Sequence, residues 1–142
     1  MKSTKNTVVK YFITHLLRIA LVAFTCATAL ATAGTVESKL YSTGAHHQYL
    51  GKIIFTDSND GLLIEPNLNH IPPGPHGLHI HEKAMCTDHG KAAGGHLDPY
   101  HTGKHLGPYQ SGHLGDLPVL RANAKGNANQ VTIAPRLTAK DI

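Results

Sequence analysis

The chain has 142 residues, enough for one domain, and its 13 Lys and Arg outnumber nine Asp and Glu. Four of the basic residues (Lys2, Lys5, Lys10 and Arg18) fall before residue 33 and all nine acidic ones after it, so the rest of the chain sums to zero. The positive balance therefore belongs to the leader and does not indicate a nucleic-acid surface; the bias of the remainder is histidine, which keeps 11 of the 12.

Residues 1–33 read as a secretory signal peptide and 34–142 as the domain. A basic start, an apolar run from Ile19 to Ala31 and a small-residue site at Ala31-Thr32-Ala33 before Gly34 make that pattern. The apolar run is shorter than the roughly 20 residues a membrane span needs. Phe24-Thr25 is a poor context for lipid attachment at Cys26. A periplasmic protein with no membrane attachment after cleavage is expected. Cys86 is then the lone cysteine, which leaves open a missing partner, an intermolecular bridge or a free thiol.

Residues 35–42 suit a short edge strand. Gln48 to Thr56 is rich in β-branched and aromatic residues and reads as a strand. Asn59-Asp60-Gly61 marks a tight turn, and Leu62 to Glu65 the returning strand. Pro72, Pro73 and Pro75 interrupt the chain. Residues 76–82 are expected as a strand, in which His79 and His81 share one face and His76 takes the other.

Residues 83–116 hold seven glycines, Pro99 and Pro108 with no periodicity, and read as a long loop. Loops longer than about 12–15 residues in compact domains are usually functional or disordered. Leu117–Ala124 and Gln130–Ala134 read as strands joined by a turn at Lys125-Gly126-Asn127. No amphipathic helix is evident after the leader, so the class is all-β, a sandwich or barrel of short strands.

His-x-His alone is a weak signal, and the pair His46-His47 suits loose metal buffering. The loop adds His96, His105, His113 and Asp116. Three imidazoles and a carboxylate make a closed tetrahedral set suited to zinc, which argues against a zinc hydrolase, since that needs an open position. His70, His89 and His101 read as exposed loop histidines, Asp98 as the shaper of the turn after His96, and Tyr100 and Tyr109 as aromatics packing over the loop.

The segments Pro75-His76-Gly77-Leu78-His79-Ile80-His81-Glu82, Gly94-Gly95-His96-Leu97-Asp98-Pro99, Thr102-Gly103-Lys104-His105-Leu106-Gly107-Pro108-Tyr109 and Gly112-His113-Leu114-Gly115-Asp116-Leu117-Pro118 are similar to those of bacterial periplasmic copper/zinc superoxide dismutases. The likeness runs from about Gly51 to Leu137. It implies a Greek-key β-sandwich or flattened barrel with a long metal-binding loop. It also implies dismutation of superoxide to oxygen and hydrogen peroxide. By the resemblance, copper is held by His79, His81 and His96, and zinc by His96, His105, His113 and Asp116. His96 then bridges the metals and delivers the proton, His76 is a structural histidine, and Cys86 is half of a disulfide that staples the loop.

The family pattern runs on past the position of Ile142, with a fourth copper histidine, an anion-guiding arginine, the partner of Cys86 and the final strands. The expectation is therefore a domain with its final strands missing, its zinc set whole and its copper set one histidine short. The competing expectation is a non-catalytic member that binds zinc or buffers copper. Monomer and homodimer both remain open. Arg121 and Arg136 are expected in surface or strand-end roles.

Overall fold

The computed structural model describes residues 34–44 and 46–142; the leader and its cleavage site lie outside the described residues. Six strands form two antiparallel sheets. The larger has β1 (Thr35–Tyr41), β2 (Tyr49–Ser58), β3 (Gly61–Leu68) and β6 (Thr132–Ala134) side by side in the order β1-β2-β3-β6. The smaller pairs β4 (Gly74–His76) with β5 (Leu120–Ala122). Among the described residues the helical content is two short 3-10 segments, Asp88–Ala93 and Ala139–Asp141. No helix in this region is long and apolar enough to cross a membrane.

Alternation along β2 and β3 builds the core. Ile53 and Phe55 point inward from β2, and Leu62, Ile64, Pro66 and Leu68 from β3. Their register places Phe55 against Ile64 and Ile53 against Pro66, so large apolar groups meet across the strands on one face. Leu114, Leu117, Leu120, Ala122, Ala128, Ala134 and Leu137 complete one apolar cluster, in which the end of the long loop is already embedded.

The tight turn expected at Asn59-Asp60-Gly61 is present, with Ser58 paired to Gly61. The positive φ falls on Gly61 (118°), where a Cβ would lie 2.5 Å from Pro135 Cα, so glycine also lets β6 approach. Strand β3 runs three residues beyond the expected end at Glu65. Pro66 is tolerated because β6 pairs only with Leu62–Ile64, leaving Pro66 beside a single partner strand.

The strand expected over residues 76–82 is not continuous. Only Gly74–His76 belongs to a strand; His79 and His81 sit in isolated bridges, to Asp116 and to His96. The cause is a split in backbone partners. Leu117 N–H donates to Leu78 O (3.1 Å) and Ile80 N–H to Gly115 O (2.9 Å), while Leu97 N–H donates to Ile80 O (2.9 Å) and Glu82 N–H to Gly95 O (3.0 Å). One extended segment thus serves two loop stretches. The last two expected strands are likewise shorter than predicted and enter different sheets, β5 pairing with β4 and β6 with β3.

Ile64 is fully buried whereas Val131 is 52% exposed. Ile64→Ala should lower unfolding stability by about 2–5 kcal/mol, and Val131→Ala by no more than about 0.5 kcal/mol. Denaturant midpoints at unchanged slope check both.

Candidate metal centre

The split pairing brings three stretches of chain to one place. The extended segment after β4 carries His79 and His81, the turn following the first 3-10 segment carries His96, and the loop return carries His105, His113 and Asp116. Gly115 lets the strands close up. A Cβ there would collide with the carbonyl oxygen of Ile80 and lie 2.9 Å from Leu97 N. Asp98 caps the next turn as expected, its carboxylate accepting from Thr102 Oγ1 (3.1 Å) and from Gly103 N–H (2.8 Å).

Asp116 is the centre of the arrangement, at 2% exposure. Its Oδ1 lies 3.0 Å from His96 Nδ1, 2.9 Å from His105 Nδ1 and 3.5 Å from His113 Nδ1. The Gly107 amide donates to the other oxygen, at 3.3 Å. Burial raises the Asp116 pKa, but the His96 contact, the Gly107 N–H and the neighbouring His105 and His113 together outweigh it and hold the carboxyl below its ordinary range. Three ring nitrogens aimed at one carboxylate oxygen exceed what its two lone pairs accept. The excess shows as a buried His113 Nδ1 with no hydrogen-bond partner. Nitrogens and a carboxylate oxygen converging on one point are the donor set of a tetrahedral divalent zinc ion, and they fit it.

His96 is the hub. Its ring stacks on His79 at 3.9 Å with a 15° interplanar angle, and stands edge-on to His81 (5.4 Å, 88°) and to His113 (5.4 Å, 90°). His81 turns Nδ1 to the carbonyl of Gly94 (3.1 Å), which leaves Nε2 free to bind a metal. His79 also lies near the Asp116 group. One donor atom each from His79, His96, His105 and Asp116 lies within 4.8 Å of the others; His81 and His113 are not part of that group. The His79 pKa is lowered, first by burial and then by the nearby His96 and His105, with Asp116 opposing.

His76 stands apart, Nε2 to the carbonyl of Pro72 (2.6 Å), in line with its opposite-face placement. His46, His47, His70, His89 and His101 are exposed and outside the cluster. Cys86 is an exposed free thiol.

Two expectations need correction. Tyr100 and Tyr109 do not pack over the loop; each is 71% exposed. The apolar packing at the end of the loop is supplied instead by Leu97, Leu114 and Leu117. Arg136 has more than a strand-end role. Its guanidinium donates to the carbonyls of Gln110, Gly112 and His113. Nothing in the local sequence pointed to this, because the partners lie 23 to 26 residues away.

The family profile described as "Copper/zinc superoxide dismutase (SODC)" matches residues 49–142, which include all six cluster residues. The superoxide dismutase [Cu-Zn] of Legionella pneumophila is 45% identical over 115 residues, covering 81% of this chain and 71% of that protein. That of Escherichia coli K12 is 46% identical over 132 residues, covering 87% and 76%. Among solved structures, the Cu/Zn superoxide dismutase from Brucella abortus matches with a TM-score of 0.68 at 37% identity, covering 74% of this chain and 75% of the other. The monomeric copper, zinc superoxide dismutase from Salmonella enterica gives 0.58 at 42% identity, covering 77% and 74%. With its two antiparallel sheets and its histidine–aspartate cluster, this chain belongs to the copper/zinc superoxide dismutase family.

Proposed function

We propose that the chain dismutates superoxide, taking two superoxide anions and two protons to oxygen and hydrogen peroxide. The residues assigned to zinc are His96, His105, His113 and Asp116, and those assigned to copper are His79, His81 and His96. The observation that carries the reading is the position of His96. Its Nδ1 is 3.0 Å from Asp116 while its ring stacks on His79 and stands edge-on to His81, so one imidazole adjoins both donor sets.

When bound, copper supplies a one-electron redox couple and zinc a fixed positive charge. The chain's own groups do the rest. Asp116, buried and facing His96 Nδ1, sets the orientation of that ring and leaves Nε2 on its far side to hold and release the proton that peroxide requires. The Nδ1 contact of His81 to Gly94 O fixes that ring in the same way. Superoxide reaches the site from the exposed His81 side. All six side chains come from one chain. Export through residues 1–33 to the periplasm completes the reading.

After loading with both metals, the purified chain should scavenge superoxide faster than the same amount of free copper. Zinc bound at one per chain with no rate above free copper would sink the enzymatic reading. Asp116→Asn should weaken zinc binding by more than the 10–100-fold typical of losing a metal ligand's outer partner, measured by chelator competition.

The depressed pKa values also set an acid limit on the metal-free protein. A group whose folded pKa lies below its unfolded value stabilises above the unfolded value and loses that stability as pH falls through the folded one. Stability should therefore hold above about pH 6.5, the ordinary histidine value, and decline below it as His79 is forced to charge. A second decline in the carboxylate range should accompany protonation of Asp116. Thermal midpoints against pH check this, and His79→Gln should remove the first decline.

A further inference from the structure

We infer that Arg136 is a positioning residue for the zinc set, holding His113 in place through the backbone. This rests on the zinc assignment proposed above. The His113 ring is poorly secured by its own contacts. Its Nδ1 is buried without a hydrogen-bond partner and lies 3.5 Å from Asp116 Oδ1, the longest of the three nitrogen distances. What fixes the residue is its main chain. His113 N–H donates to Lys104 O (2.8 Å), and Arg136 Nη1 donates to His113 O (3.2 Å).

The same guanidinium holds the approach to that residue. Nη2 donates to Gly112 O (2.8 Å) and Nη1 also to Gln110 O. Three carbonyl oxygens from four consecutive residues thus point at one cation. Without a positive charge between them their dipoles would repel, and the glycine-bearing turn would open. A planar fork with five donors and a permanent charge meets this demand; an ammonium, with three donors on one atom, cannot span all three oxygens.

The anchor behind the fork is rigid. Arg136 lies between Ala134 (2% exposed), the last residue of β6, and Leu137 (1% exposed), both in the core. Strand β6 pairs with the first half of β3, at Leu62, Leu63 and Ile64. Arg136 therefore joins the metal-binding loop to the main sheet, which the extended segment after β4 does not.

The test uses the full chain and three variants: Arg136→Met removes the fork, Arg136→Lys keeps only a charge, and Arg121→Met is the control, since Arg121 is an exposed residue of β5. Each metal-free protein is melted, titrated with zinc against a chelator, and titrated with cobalt(II) to read the visible bands of a tetrahedral site. Amide exchange is followed in the metal-free state. Arg136→Met should weaken zinc by about tenfold or more, in the range for losing a group that orients a ligand, and should weaken the cobalt bands. Arg136→Lys should fall between it and wild type, and Arg121→Met should match wild type. Exchange at His113 and Gly115 should quicken in the Arg136 variants while that at Ile53 and Ile64 stays slow. Should Arg136→Met not fold, Arg136→Lys carries the same readouts. Zinc affinity and cobalt bands equal to wild type in the folded Arg136 variants overturn the inference, as does a loss that only follows a lowered melting midpoint. A wild-type chain that takes up no zinc overturns the zinc assignment and the inference with it.

Discussion

Everything around the centre depends on one buried carboxylate facing three imidazole nitrogens. Asp116 stays below its usual pKa in spite of burial because its neighbours offer more than desolvation takes away. A buried charge of this kind is costly unless it is matched, and the surplus of nitrogens over lone pairs makes a divalent ion the natural match. The rest of the loop can be understood as the means of bringing those nitrogens to one oxygen from distant parts of the chain.

The scaffold does this with little regular structure. The residues that line the centre occupy isolated bridges and irregular loop, while the long strands β2 and β3 lie elsewhere and supply much of the apolar core. Rigidity reaches the site by three routes. Leu114 and Leu117 bury the loop's return in that core, the segment around Ile80 is hydrogen-bonded on both sides, and the guanidinium of Arg136 clasps the turn before His113. Two of these are backbone pairings or side chain–backbone bonds, which need no particular side chain on the loop itself. This accounts for a loop sequence rich in glycine and histidine and poor in large apolar residues.

Much of this was legible in the residues. The β-branched and aromatic residues of Gln48–Thr56 and the apolar run Leu62-Leu63-Ile64 expose the β2–β3 hairpin, and Asp60-Gly61 its turn, because strand propensity and turn chemistry are local properties. The histidines and their flanking glycines mark the stretches from which His79, His96, His105 and Asp116 converge, since a donor set leaves its residue types in the sequence. Strand continuity over residues 76–82 was not legible. Whether an extended segment forms a ladder depends on its partners, and here the partners are two loop stretches with no strand pattern of their own. Tyr100 and Tyr109 misled for a related reason, since whether a loop aromatic turns inward depends on long-range packing that its neighbours in sequence do not carry. Arg136 carries no local sign at all.

The reach of Arg136 has a consequence for the order of events in folding. Its partners lie 23 to 26 residues earlier in the chain, and its own position is set by the pairing of β6 with β3, strands separated by more than 60 residues. Contacts of such sequence separation form late, because the closure entropy of the intervening chain must be met first. A growing chain can already hold every histidine of the cluster while its loop is still unfastened. The loop is clasped only once β6 has joined the sheet, so the step that seals the core is also the one that tightens the cluster.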